Sequence, residues 1–169
     1  MQVKSLFSLG SLAVLLVACQ GYEVSVNERQ VYTPLPLFTQ FRVADPNLQE
    51  CIDQHIEDKQ ITRAIQLERL NCRHAGITQL AGIETFAGLQ ELDLSDNALQ
   101  SATELGNLSR LTWLNLANNQ LTSAAPLLTL LRLTDLDLTG NADLDCTDLK
   151  QLGQVQSVRM VRPGHCAQD

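Results

Sequence analysis

The chain has 169 residues, 44% of them hydrophobic but only 4% aromatic, and a formal net charge of −7. That length suits one domain with short appendages, and the shortage of aromatics calls for an aliphatic core built from many similar contacts. The acidic balance, with its charges interspersed, argues against nucleic acid as a partner, because a phosphate backbone needs a basic surface.

Residues 1–18 read as an export signal and not as part of a fold. Lys4 gives a short positive region, Leu6 to Val17 form an apolar run too short to span a bilayer as a mature helix, and Ala18 precedes Cys19. The stretch "LVAC" resembles the lipobox of bacterial lipoproteins, in which the cysteine is lipidated and becomes the first mature residue. That resemblance implies lipidation at Cys19 and anchoring to a membrane, since more than one acyl chain holds stably where a single chain is marginal. An ordinary secretory signal with an incidental cysteine is the plainer alternative. Gln20 in place of aspartate after the cysteine implies the outer membrane, with the domain facing either the periplasm or the outside. Residues 19–42 follow as a tether, held partly extended by Pro34 and Pro36. An edge strand through Val24, Val26 and Val31 is the other reading of that segment.

Residues 43–66 contain "DPNLQECIDQHI". Asp45 is placed to cap a helix that starts at Pro46, and Leu48, Cys51, Ile52, His55 and Ile56 make its apolar stripe.

From Leu67 the chain repeats itself. The pattern L-x-x-L-x-L starts at Leu67, Leu89, Leu111 and Leu133, always 22 residues apart, and returns weakly as V-x-x-V-x-M at Val155. After each start, apolar residues recur every three positions, as in Leu99, Ala102, Leu105 and Leu108. Asn97, Asn119 and Asn141 hold the ninth slot of three consecutive units. An alternating L-x-L is a short strand with its leucines on one side, and the three-residue spacing suits an extended or 3₁₀ return path. No unit can bury its own leucines, so the units must stack and share a core. Each asparagine is expected to turn inward and satisfy backbone groups of its own and neighbouring loops.

"LQELDLSDNALQSATELGNL" and "LTWLNLANNQLTSAAPLLTL" resemble the leucine-rich repeat in the 22-residue class of bacterial internalin-like proteins. The resemblance implies an α/β solenoid with short parallel strands on its concave face, repeats over residues 67–154, and a degenerate repeat with a cap over 155–169. It also makes 43–66 an amino-terminal helical cap. The pattern fails at the ends, with Cys72 and Ala75 in leucine and asparagine slots of the first unit and Cys146 in a core slot of the last. Open solenoid ends need covering. With Cys19 assigned to lipid, four cysteines remain in an oxidising setting. Local pairing joins Cys51 to Cys72 and Cys146 to Cys166, and each loop of about 20 residues contributes about 3 kcal/mol. Two rivals stay open: a zinc site from Cys51, His55, Cys72 and His74, and four small buried thiols.

Catalytic signatures are lacking: no G-x-S-x-G, no H-E-x-x-H and no phosphate-binding glycine loop occurs. The expectation is a non-enzymatic, monomeric protein with no cofactor and no metal. Strand alternation turns the third and fifth slots away from the core. Trp113, the only tryptophan, occupies a third slot, flanked in that column by Arg69, Glu91, Asp135 and Ser157. The fifth-slot column reads Asn71, Asp93, Asn115, Asp137 and Arg159. Trp113, Glu91, Asp93, Asn115, Asp135 and Asp137 are therefore the expected binding residues, fit for a basic peptide or protein segment. A spacer lipoprotein with no specific ligand is the competing class, with the indole lying flat to stiffen the sheet.

Overall fold

The computed structural model describes residues 24–26, 29–32, 35–155 and 157–166. The export signal and Cys19 lie outside the described residues. The chain divides into two units, with the boundary between Leu35 and Pro36. In the first, β1 (Val24–Val26) and β2 (Arg29–Tyr32) pair antiparallel, so the valines that suggested a strand form a hairpin within the segment assigned to the tether.

The second unit opens with residues that the sequence reading also gave to the tether. Leu37, Phe38 and Phe41 instead pack against the core, and the Phe38 N–H donates to Ile61 O at 2.8 Å. Phe38 and Phe41 stack with centroids 5.7 Å apart, and both meet the edge of buried Phe86, at 6.2 and 4.9 Å. The physical reason is the open solenoid end: the apolar surface of the first repeat has no preceding rung, and these side chains cover it.

Helix α1 (Pro46–Lys59) forms as its sequence dictates. Asp45 Oδ1 accepts the N–H groups of Asn47 and Leu48 at 2.9 and 3.2 Å, and Gln60 closes the far end in a left-handed conformation. Leu48, Ile52 and Ile56 are buried. Asp45 does a second job, because its Oδ2 accepts the backbone N–H and the hydroxyl of Thr78 at 2.8 and 2.9 Å and so ties the cap to the first repeat.

The repeats supply five parallel strands in chain order: β3 (Arg69–Asn71), β4 (Glu91–Asp93), β5 (Trp113–Asn115), β6 (Asp135–Asp137) and β7 (Arg159–Val161). The first four are in register at equal slots, with Leu70, Leu92, Leu114 and Leu136 side by side and buried. Short 3₁₀ turns at Ile83–Thr85, Thr103–Asn107 and Ala125–Thr129 make the return path. A continuous aliphatic core lies between the two sides. The asparagines bind as expected: Asn119 accepts the Leu99 N–H at 3.0 Å and donates to the carbonyls of Leu94, Leu116 and Ala117. Asn97 and Asn141 repeat this one rung to either side.

The last rung departs from the 22-residue phase. Arg159, Met160 and Val161 pair with Asp135, Leu136 and Asp137, so the strand sits two residues later than a start at Val155 implies. Val155 instead ends helix α2 (Cys146–Val155). An α-helix rises about 1.5 Å per residue against about 2.0 Å for a 3₁₀-helix, so the same return span consumes more chain. Ser157 and Arg159 are thus not in the third and fifth slots: Arg159 holds the third and Val161 the fifth.

Both ends are closed by disulfides, Cys51–Cys72 with Cα atoms 5.9 Å apart and Cys146–Cys166 at 5.3 Å. These bonds consume the sulfurs of the alternative zinc set, and His74 stands apart from it, 3.8 Å from Asp96. His55 accepts the Asn71 N–H at 3.4 Å, so the cap helix also covers the outer edge of β3.

Candidate functional site on the concave face

Because side chains alternate along a strand, each rung sends its central residue inward and its two outer residues onto the open face. Trp113 and Asn115 stand there in the middle strand, and the indole is 38% exposed beside fully buried leucine neighbours. Its lateral neighbours are Glu91 on β4 and Asp135 on β6, as the repeat phase predicts.

The electrostatics differ from four carboxylates left free around an indole. Arg69 Nε lies 3.1 Å from Glu91, and the Arg159 guanidinium is paired with Asp135. The third-slot row therefore reads cation, anion, indole, anion, cation across β3 to β7. Sequence reading missed the second pair, since it placed Arg159 two slots away, in the fifth-slot column. It also left Arg69–Glu91 unremarked, although the two stand directly opposite in adjacent rungs.

The fifth-slot row has another pattern. Asn71, Asp93, Asn115 and Asp137 each use Oδ1 to accept the N–H two residues on, of Arg73, Ser95, Ala117 and Thr139, at 2.9–3.1 Å. These bonds turn the chain out of each strand. Asp93 Oδ1 also accepts the Ser95 hydroxyl. The remaining oxygen of Asp93 and that of Asp137 have no partner among the described residues, so the uncompensated negative charge of the face sits at these two points.

Trp113 separates two shallow depressions. One, of about 320 Å³, is lined by Arg69, Leu70, Asn71, Glu91 and Asp93. The other, of about 360 Å³, lies toward β7 and adds Met160 and exposed Val161 to Asp135, Asp137 and Arg159. Asp93 lines the first and Asp137 the second.

Beyond the strands, His74, Asp96, Asn118 and Gly140 share the eighth slot and all have positive φ, between 54° and 76°. Asp, Asn, His and Gly tolerate this conformation, and that recurrence is the signal by which the column could have been found. Asn118 donates to Asp96 at 2.8 Å and Arg73 approaches it at 2.7 Å. The Asn118 amide, with Arg73 behind it, holds the Asp96 carboxyl below its ordinary pKa. Among the described residues only Cys146, His165 and Cys166 gather potential metal ligands, and their two sulfurs are bonded to each other. No helix among the described residues is long and apolar enough to cross a membrane.

The leucine rich repeat family model matches residues 88–108 and 110–131. No curated protein matches the chain in sequence. The fold is similar to that of internalin C2 from Listeria monocytogenes, at 25% identity and a TM-score of 0.60, covering 77% of this chain and 59% of that one. An internalin (InlF) from the same organism is similar over 77% of this chain and 45% of its own, at 20% identity and a TM-score of 0.53. This chain thus spans roughly half the length of either structure. Five parallel rungs, an asparagine ladder, a helical cap and disulfide-closed ends give the chain a leucine-rich repeat fold similar to that of the bacterial internalins.

Proposed function

We propose that the chain is a non-enzymatic binding module, tethered to the outer membrane through a lipid on Cys19, whose concave face takes a protein or peptide segment bearing basic side chains. The observation that carries this reading is Trp113, a large apolar side chain exposed at the centre of a sheet whose other open positions, Val161 on the last strand apart, are polar or charged. An indole surrounded by net negative charge attracts an ammonium or guanidinium group through its ring face and through the acids beside it. Glu91 and Asp135, already paired with arginines, orient the rim; Asp93 and Asp137 supply the attraction. The two cap disulfides fit an oxidising, extracytoplasmic location.

Crosslinking in intact cells, comparing the native chain with Trp113→Ala, tests the proposal. The binding reading expects one captured partner to be lost by the variant while its melting temperature stays within about 2 °C of the parent. Capture retained together with lowered melting would mean that the indole stiffens a spacer, and would refute the reading.

A further inference from the structure

We infer that the partner's contact element is an amphipathic α-helix laid across the strands, with Lys or Arg at i and i+7 and an apolar residue at i+3 or i+4. The inference rests on the concave face being the binding site. Three observations lead to it. First, the free negative charge of the face is confined to Asp93 on β4 and Asp137 on β6, because Glu91 and Asp135 are matched by Arg69 and Arg159. Second, these aspartates stand in equal slots one rung to either side of β5, so they are two strand spacings apart, about 10 Å. Third, Trp113 lies between the two depressions and lines both of them.

Asn115 lies directly between the two aspartates and Trp113 two residues before it, so two cations held about 10 Å apart, with an apolar group midway and displaced toward the third-slot row, complement the face. A helix delivers that arrangement: residues i and i+7 share a face about 10.5 Å apart, and i+3 or i+4 falls midway. Its repeat along that face, about 5 Å, is commensurate with the spacing of the rungs, about 4.8 Å. An extended segment crossing the strands presents same-face side chains about 6.7 Å apart and falls out of step after one rung. The face is also asymmetric, since the β7 side carries Val161 in the slot where the β3 side carries Asn71. That difference orients the helix, with a further apolar residue beyond the basic one that meets Asp137.

Because Trp113 is the sole tryptophan, its fluorescence reports directly on the site. The probes are three synthetic peptides of equal length and net charge: a helical one with Lys at i and i+7 around a leucine, the same with the lysines at i and i+2, and the first with proline at its centre. They are titrated against the full chain and against Asp93→Asn, Asp137→Asn and the double variant. Asparagine keeps the oxygen that accepts the turn N–H, so the fold is retained. The expected result is saturable binding of the i, i+7 helix, at least tenfold weaker for the other two peptides. Each single variant should lose about tenfold and the double variant about a hundredfold. Absence of saturable binding by the first peptide, or equal binding of all three, overturns the inference. So does affinity unchanged by either asparagine. If the cellular partner is still lost by Trp113→Ala in those cases, the concave-face reading stands and only the two-cation helix falls.

Discussion

Replacing Asn119 by alanine isolates what the inward asparagine contributes. In the folded chain its Oδ1 accepts the buried Leu99 N–H at 3.0 Å, while Nδ2 donates to three carbonyls. Each of those carbonyls keeps another donor: Asn97 for Leu94, Asn141 for Leu116, and the Asp96 N–H for Ala117. The Leu99 N–H keeps none. An orphaned buried donor costs about 1–3 kcal/mol, and the lost amide contacts add about 1 kcal/mol, so Asn119→Ala should destabilise by about 3 kcal/mol. For a unit of this size that is about 10 °C in melting temperature. Asn97→Ala removes the same set of bonds from a half-exposed side chain, where water can replace them, and should cost about half as much. Urea denaturation followed by Trp113 fluorescence and by circular dichroism measures both, with an unchanged m-value as the check that the same unit unfolds. A loss below about 1 kcal/mol for Asn119→Ala, or an equal loss for Asn97→Ala, would refute the assignment of the ladder as a buried polar spine.

Asp45 predicts a pH dependence. Burial acts to raise its pKa, but hydrogen bonds from the Thr78 backbone and hydroxyl and from the Leu48 and Asn47 backbones outweigh it, so the carboxyl titrates below its usual range. Its contribution is therefore complete above the unfolded-state value, near 4, and lost as pH falls through the folded one. Melting between pH 2 and 6 should show a smaller acid loss in Asp45→Asn than in the native chain, and identical slopes would contradict the reading. A β-carbon on Gly88 would collide with the Ile65 carbonyl oxygen, so Gly88→Ala should cost more than about 2 kcal/mol by urea denaturation. Removing Cys51–Cys72 by double alanine substitution should cost about 3 kcal/mol, and a reductant should change the variant's stability less than the native chain's. For the anchor, Cys19→Ser should abolish acyl labelling and release the chain from the membrane fraction; unchanged labelling would dismiss lipidation there.

The repeat alone determined most of the architecture. A leucine pattern that returns every 22 residues can bury its apolar face only by stacking, and the two-residue period of a strand then assigns every third and fifth slot to the open face. Trp113 was legible as exposed for that reason, and Asn97, Asn119 and Asn141 as inward, because phase is a local property of the chain. The cap helix was legible too, since Asp45, Pro46 and the apolar stripe lie within about three helical turns of each other.

Tertiary structure decided what local phase cannot carry. The register of β7 depends on how many residues the preceding return path consumes, and that depends on Cys146–Val155 being an α-helix instead of a 3₁₀ turn. From this follow the pairing of Arg159 with Asp135 and the exposure of Val161. The inclusion of Leu37, Phe38 and Phe41 in the fold depended on a surface supplied by Phe86, more than forty residues away in the chain. Which carboxylates remain free on the concave face was likewise a matter of neighbours. Composition shows acids beside an indole, but whether an acid is available to a partner depends on the side chain in the next rung, and that is fixed only when the rungs are stacked.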